Sequence, residues 1–342
     1  MCSSLWLESN FYAGNIGFGL SITFNLIVLV LISEMPKRIF GNYKYLMFAF
    51  STVGIFFSCC DFFIKPNMHI TKTSFIIFTD LKRSGYSYST AQIALAILCS
   101  SYGLVLTMLA IHFFYRYLSV KSPSNLSIFS LKAAPIWVIS LSVNFVIWFF
   151  CFFNLNSPSP MKDEELIPEF WEAYCLKSNE YTYTGPHYYY TDNSTGEWKF
   201  HIPSFVAEGY TAGNIAIAII LLSIFGVKTY NHLYKLGGMS SLNSREIQSQ
   251  LFKTLVVQTI FPSIFLFFPV SCLVLFPVFG IRIGENANLI MISFSIYPCF
   301  EPLVAICCIK TFRRRLLGIV PCYKKNRVTR VSSQFYNQTT TT

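Results

Sequence analysis

The sequence predicts an all-α membrane protein: a bundle of seven transmembrane helices, N-terminus outside, C-terminus cytoplasmic, with a short amphipathic helix after the last span. Three observations carry this reading. The 342 residues are 53% apolar or aromatic and only 12% charged, about half the charged share of an ordinary soluble domain, so the chain cannot solvate the surface of a globule. Seven apolar runs are each about 20 residues long, enough to cross ~30 Å of hydrocarbon as self-satisfied helix. Lys and Arg are asymmetric about those runs: 18 of 26, counting Lys44, follow spans one, three, five and seven, which makes those segments cytoplasmic. The net charge of +10 then needs no nucleic-acid partner. Eleven cysteines without a CxxC pair fit neither a disulfide scaffold nor a zinc domain. No HExxH, GxSxG or Walker string occurs, so no enzyme chemistry, cofactor or metal is expected.

Residues 1–10 are an extracellular leader to span one, Phe11–Ile32. The leader lacks Lys and Arg, and Lys37-Arg38 follow the run without a small-residue cleavage site, so the run is a span and not a signal peptide. Span two is Tyr43–Ile64. Near its outer end Asp61 stands one turn before Lys65, a spacing that suits a helix-surface ion pair; the other reading makes Asp61 a polar contact in a cavity. In the short outer loop, His69 shapes the cavity mouth or fixes the loop. Span three, Ala91–Phe114, runs on to Arg116 and Tyr117, with His112 one turn before Arg116.

Span four, Ala133–Phe153, opens the long outer loop Asn154–Ser204. That loop concentrates acidic residues (Asp163, Glu164, Glu165, Glu169, Glu172, Glu180, Asp192, Glu197) and holds the sequon Asn193-Ser194-Thr195, so Asn193 is an expected glycosylation site. The sequons at Asn125 and Asn337 fall on the inner side and stay bare. Span five is Phe205–Val227, span six Thr254–Phe279 with Pro262 and Pro269, and span seven Asn288–Ile309. Glu301 lies nine residues before Lys310, ~13 Å inside the helix end, where a charge costs roughly 2.5–3.5 kcal/mol. It must face the bundle. Pro298 and Pro302 flank it and free carbonyls nearby, so this stretch is either a hinge and polar switch or a structural acid within the freed backbone. Residues 310–342 form the cytoplasmic end.

Seven spans with an outer N-terminus suggest a heptahelical receptor, and other seven-span classes fit poorly. A retinal protein needs a mid-helix Lys in the last span, an intramembrane aspartyl protease needs two embedded Asp residues, and three-plus-one-plus-three sugar carriers need similar halves. None of these is present. A ligand-gated channel or transporter of the same topology stays open as the alternative.

Several strings are more specific. Gly41-Asn42-Tyr43-Lys44-Tyr45-Leu46-Met47 opens span two and Lys65-Pro66-Asn67-Met68-His69 follows it. Span three ends Leu109-Ala110-Ile111-His112-Phe113-Phe114-Tyr115-Arg116-Tyr117; span six begins Gln250-Leu251-Phe252-Lys253-Thr254-Leu255-Val256-Val257-Gln258-Thr259; span seven carries Ile296-Tyr297-Pro298-Cys299-Phe300-Glu301-Pro302-Leu303. In this order they resemble the nematode serpentine chemoreceptors of the str type, with the srj type a close second, over residues 10–325. The resemblance implies a G-protein-coupled chemosensory receptor of the plasma membrane in sensory cilia, binding a small odorant or pheromone-like ligand and a heterotrimeric G protein. Its oligomeric state is not implied. Two departures from the rhodopsin-like pattern stand out. Tyr115-Arg116-Tyr117 lacks the acidic residue before Arg, so an acid–Arg lock within the motif is absent. Cys99 lies about nine residues, or ~13 Å, inside span three, which disfavours a bridge to Cys175.

The ligand cavity is expected between the outer halves of spans three, five, six and seven, with Tyr102, Glu208, Tyr210, Asn214, Phe268, Cys272 and Ser293 as candidates, an aromatic wall with few polar groups that suits small volatile or amphiphilic molecules. Asp61, Glu301, Pro298 and Pro302 are the intramembrane switch candidates. On the inner side His112, Arg116, Tyr117, Lys121, Lys228 and Lys253 are candidates to face a G protein, although the positive-inside rule alone also accounts for the cations. After span seven, Phe312, Leu316, Leu317 and Val320 share one face of a short helix against Arg313-Arg314-Arg315, an interfacial pattern, and Cys322 beyond it is a palmitoylation candidate.

Overall fold

The computed structural model describes residues 2–34, 42–191, 196–236, 257 and 259–319. Within them, seven apolar helices are long enough to cross a bilayer. Spans one to seven are Leu5–Glu34, Tyr43–Ile64, Tyr88–Lys121, Ala134–Leu155, Ile202–Leu236, Thr259–Val278 and Glu285–Cys308. A tail helix, Lys310–Ile319, follows. The bundle has a cap end, where span one begins, and a tail end, where span seven finishes.

Helix–helix contact in lipid relies on small residues and side-chain hydrogen bonds. Gly17 brings span one onto span seven so closely that a methyl group there would collide with the Ser295 carbonyl, and Gly103 makes room for the Trp148 ring of span four. Prolines supply the hydrogen-bonding sites. Pro302 has no N–H for the Pro298 carbonyl four residues earlier, and Asn25 Nδ2 of span one approaches that oxygen at 3.4 Å. Pro269 leaves the Phe265 carbonyl in the same position, beside a wide turn over Ser263–Phe267, and Ser293 Oγ of span seven donates to it at 2.8 Å.

The expectation of an all-helical chain is met in the bundle but not in the loops at the cap end. There β1 (Asn67–Ile70), β2 (Phe75–Asp80) and β3 (Tyr181–Thr184) form an antiparallel sheet in the order β1-β2-β3, with Phe78 opposite both Asn67 and Tyr183. The period-2 alternation of strand side chains gives this sheet two apolar faces. Met68, Ile70, Phe75 and Ile77 face the bundle interior; Ile76, Phe78, Tyr181 and Tyr183 pack under a cap helix, Pro160–Tyr174, through Leu166, Phe170 and Tyr174. A separate pair, β4 (Tyr189–Thr191) and β5 (Trp198–Phe200), precedes span five. Strands β1 to β3 carry little polar alternation because both faces of their sheet are covered, which is why they read as an undifferentiated loop.

Asn288, fully buried at the start of span seven, organises the junction. Its Oδ1 accepts from Asn10 Nδ2 of span one (2.6 Å) and from the Met68 amide of β1 (2.9 Å), while its Nδ2 donates to the Tyr174 hydroxyl (2.9 Å). The cap helix adds Glu165 and Glu169, one turn apart. Glu169 pairs with His69 at 2.8 Å and Arg282 at 3.4 Å, and Glu165 pairs with His187 at 3.2 Å and accepts from Thr73 Oγ1 at 2.6 Å. His69 therefore fixes the loop, one of its two expected roles. Lys162 is buried and donates to the carbonyls of Asn156, Ser157 and Gly185 at 2.7–3.1 Å. A disulfide joins Cys2 to Cys175, and Cys99 is a free, buried thiol.

The Asp61–Lys65 ion pair is not formed. Lys65 lies past the end of span two with φ 53°, so the helical spacing no longer applies. Its Nζ donates to the Arg83 carbonyl at 2.6 Å and sits 5.6 Å over the Phe11 ring.

The cap is acid-sensitive through Glu165. Burial alone would raise its carboxyl, but hydrogen bonds from His187, Thr73 and Thr71 and the charge of His187 hold it below the ordinary value. The stability it contributes is complete above the unfolded carboxylate range and lost as pH falls through the lower folded value. In detergent, the fall in thermal midpoint from about pH 6 to about pH 3.5 is expected to shrink in Glu165→Gln; an identical fall in both proteins removes this residue from the acid limb.

Candidate functional site

Beneath the sheet lies a cavity with about 50 Å³ of free space, room for a few waters and far less than a drug-sized pocket. Met68, Phe75 and Ile77 roof it; Cys99 and Tyr102 of span three, Trp148 and Phe152 of span four, Glu208 and Thr211 of span five, Leu273 of span six and Phe294 of span seven form its walls. Glu208 is 5% exposed, and both oxygens are held: Oε1 by Asn156 Nδ2 at 3.2 Å and Oε2 by Thr211 Oγ1 at 3.1 Å. Tyr102 packs its ring 5.0 Å from Phe294, and its buried hydroxyl has no partner among the described residues. The chemistry is an apolar chamber with one anchored carboxyl and one unpaired phenol.

The other cavity candidates sit elsewhere. Tyr210 and Asn214 turn to span four, where Asn144 Oδ1 accepts from the Tyr210 hydroxyl at 2.7 Å and from Asn214 Nδ2 at 3.4 Å; Asn144 Nδ2 in turn donates to Thr107 of span three at 3.1 Å. This clamp rests on Asn144, an amide in the middle of an apolar span, and that placement was the available signal. Phe268, Cys272 and Ser293 line an open groove on the outer surface between spans six and seven.

In mid-bundle, Asp61 is 4% exposed, with one oxygen against Gly14 of span one. Ser58 Oγ donates to Ser21 Oγ at 2.7 Å one turn below, and Asn25 Nδ2 donates to the Ser21 carbonyl at 2.9 Å. Glu301 is buried at 8% exposure, one turn beyond Tyr297. Pro298 lies in a tight turn, Tyr297–Cys299, that splits span seven, and Pro302 stands in the first turn of the helix that follows.

At the tail end, the side chains of span three converge on Tyr43, the first residue of span two. The Tyr43 hydroxyl lies 2.8 Å from His112 Nε2, and Arg116 Nη2 donates to it at 2.7 Å, with the guanidinium 4.6 Å from the Tyr43 ring centroid. Tyr115 stands where the acid is missing, and the Tyr43 hydroxyl of span two is the partner of Arg116. Tyr43 is not among the residues expected to face this end; its signal in the sequence is an aromatic hydroxyl opening the helix that faces the His112/Arg116 pair. Tyr117 stacks on Phe225 of span five at 5.3 Å, with Lys121 at 5.4 Å and Lys228 at 6.0 Å from its ring. The tail helix buries Phe312 and half-buries Leu316, leaves Leu317 exposed, and pairs Arg315 with Glu34 at 3.4 Å. Asn193, Lys253, Val320 and Cys322 lie outside the described residues.

Residues 10–317 match the family described as serpentine type 7TM GPCR chemoreceptor Str. Serpentine receptor class r-10 of Caenorhabditis elegans is 28% identical over 329 residues, 96% of this chain and 95% of its own length. G-protein coupled receptor str-33 of the same organism is 26% identical, covering 84% of each chain. Serpentine receptor class J-38, also from Caenorhabditis elegans, is 25% identical, covering 85% of this chain and 87% of its own. These relatives and the seven apolar helices make the chain a multi-pass membrane protein of a receptor family, not of an enzyme family. With the match spanning nearly all of the bundle, the chain belongs to the Str family of serpentine seven-transmembrane chemoreceptors.

Proposed function

We propose that this receptor detects a small external chemical and signals through a heterotrimeric G protein, with the cap end outside the cell and the tail end in the cytoplasm. The orientation rests on the clustering of Lys and Arg in the segments at the tail end and of acidic residues in the loop Asn154–Ser204. The plasma membrane of a chemosensory cilium, glycosylation at Asn193 and palmitoylation at Cys322 belong to the same reading.

The observation that carries it is span three, one continuous helix from Tyr88 to Lys121. It places Tyr102 in the cavity and Arg116 in the tail-end cluster, fourteen residues or about 21 Å apart. A ligand that binds one arrangement of the cavity better than the other shifts the whole bundle by that difference in affinity. The chamber suits a small, mainly apolar, odorant or pheromone-like molecule whose single polar group meets Tyr102 or the Glu208 carboxyl. In the closed state Tyr43 holds Arg116 and His112; its release, with parting of spans six and seven at their prolines, frees Arg116, Tyr117, Lys121 and Lys228, and Lys253 with them, for the G protein.

Calcium imaging of cells expressing the chain against a panel of volatile and water-soluble compounds tests the reading. Responses that need a functional G protein support it, and agonist currents in cells lacking one overturn it. Arg116→Ala is expected to reach the surface but lose signalling. Tyr43→Phe keeps the ring and removes a hydroxyl bonded to a charged group, an interaction of roughly 1.5–3 kcal/mol, so ligand-independent signalling should rise by about tenfold. Unchanged basal signalling in Tyr43→Phe excludes the lock.

A further inference from the structure

Among the described residues, the cap side of the cavity is roofed by buried side chains. Met68 and Ile70 are fully buried, Phe75 is 2% and Ile77 9% exposed. The sheet that carries them is bonded to the start of span seven through paired backbone hydrogen bonds between Ile70 and Gly284 at 2.9 and 3.3 Å. Above it the cap helix is held by the Asn288 hub, two His–Glu pairs and the disulfide. Among the described residues, the sheet and the cap helix on this side are both held by these contacts.

The side wall between spans six and seven is built differently. In its tail-ward half, Phe300 of span seven stacks on Phe261 and Phe265 of span six, each at 4.6 Å. Above that stack the seam carries the bond from Ser293 to the Phe265 carbonyl, and then opens into a groove of about 920 Å³. The groove faces away from the bundle axis. Its cap-ward end carries Arg282, Glu285 and Asn286, and below them Phe268 is 69%, Leu289 60% and Ile264 55% exposed, so in a bilayer acyl chains lie against that lower part.

Groove and chamber lie on opposite faces of the same two helices, spans six and seven. On a helix, successive residues point about 100° apart, so Cys272 and Ser293 face the groove while their chain neighbours Leu273 and Phe294 face the chamber. The backbone at this point is the least regular in span six, because Pro269 removes one helical bond and the wide turn Ser263–Phe267 precedes it. Two other lateral grooves, between spans five and six and around spans two to four, lie toward the tail end, and none of their lining residues is a chain neighbour of a chamber residue.

We propose that the groove between spans six and seven is the entry site for the ligand, which reaches the chamber from the bilayer and not from water, with the Ser293–Phe265 hydrogen bond as the latch of the side wall. This rests on the reading of the chamber as the ligand site, and it narrows the ligand class to neutral molecules that partition into lipid. The small free volume of the chamber fits: a molecule enters as the seam parts, and the walls close on it.

The test reads occupancy and not signalling, so its failure is distinct from a receptor silent to every compound. The full chain in phospholipid nanodiscs is mixed with 3-methyl-3-propyldiazirine, photolysed after set delays, and the adducts are mapped by mass spectrometry. Adducts are expected on the groove at Phe268 and Leu289 first and on the chamber at Tyr102 later. Leu289→Trp, at an exposed position, should slow the Tyr102 adduct by about tenfold, and Ser293→Ala should hasten it. The opposite signs separate a gate from a folding defect. The proposal is overturned if both variants label Tyr102 at the unmodified rate, if adducts stop at the groove, or if a trimethylammonium-bearing diazirine confined to water labels Tyr102 as fast as the neutral probe.

Discussion

Every carbonyl oxygen in hydrocarbon needs a donor, and this bundle is organised by the places where its own helices fail to provide one. An unsatisfied backbone group in lipid costs several kcal/mol, and proline creates such groups at fixed offsets. Pro302 and Pro269 each leave a carbonyl four residues earlier, and in each case a neighbouring span sends a side chain to it: Asn25 of span one to Pro298, and Ser293 of span seven to Phe265. Spans one, six and seven are thus joined at points where span six and span seven are themselves bent. The same features that permit movement determine which neighbour feels it.

The two ends of the molecule solve different problems. At the cap end the task is exclusion of water, met by a sheet with two apolar faces between the bundle and the cap helix, and by the buried Lys162, His69 and His187, each of which has a partner. At the tail end, on the proposed reading, the task is to keep a cation available yet restrained. An acid beside Arg116 would give a strong, desolvated pair; the Tyr43 hydroxyl gives a neutral one, donating to or accepting from His112 according to its tautomer while accepting from Arg116. A neutral partner holds the guanidinium more weakly than a carboxylate, which makes the restraint easier to release.

Much of the bundle was legible in the sequence. Hydrocarbon thickness sets a length, and the charge-free runs met it. The prolines of spans six and seven announced freed carbonyls, although not which side chains would reach them. Legibility ended where partners come from distant segments. Tyr43 and Arg116 are 73 residues apart, Asn10 and Asn288 are 278 apart, and nothing local in either member announces the other. The strands of the cap were hidden because a sheet covered on both faces loses the alternation by which strands are recognised. Lys65 shows the opposite error: a local rule applied one residue past the end of the helix that obeys it.

The bridge between Cys2 and Cys175 spans 173 residues of sequence, and four membrane crossings separate its two thiols. An even number of crossings brings them to the same face; any odd number leaves them on opposite sides of the bilayer, out of reach. Closure of this bond is therefore a parity check on the first half of the chain. A nascent receptor in which one of the first four spans failed to insert retains two free thiols, a chemical mark that an oxidising compartment and its quality-control machinery can read before the receptor leaves it.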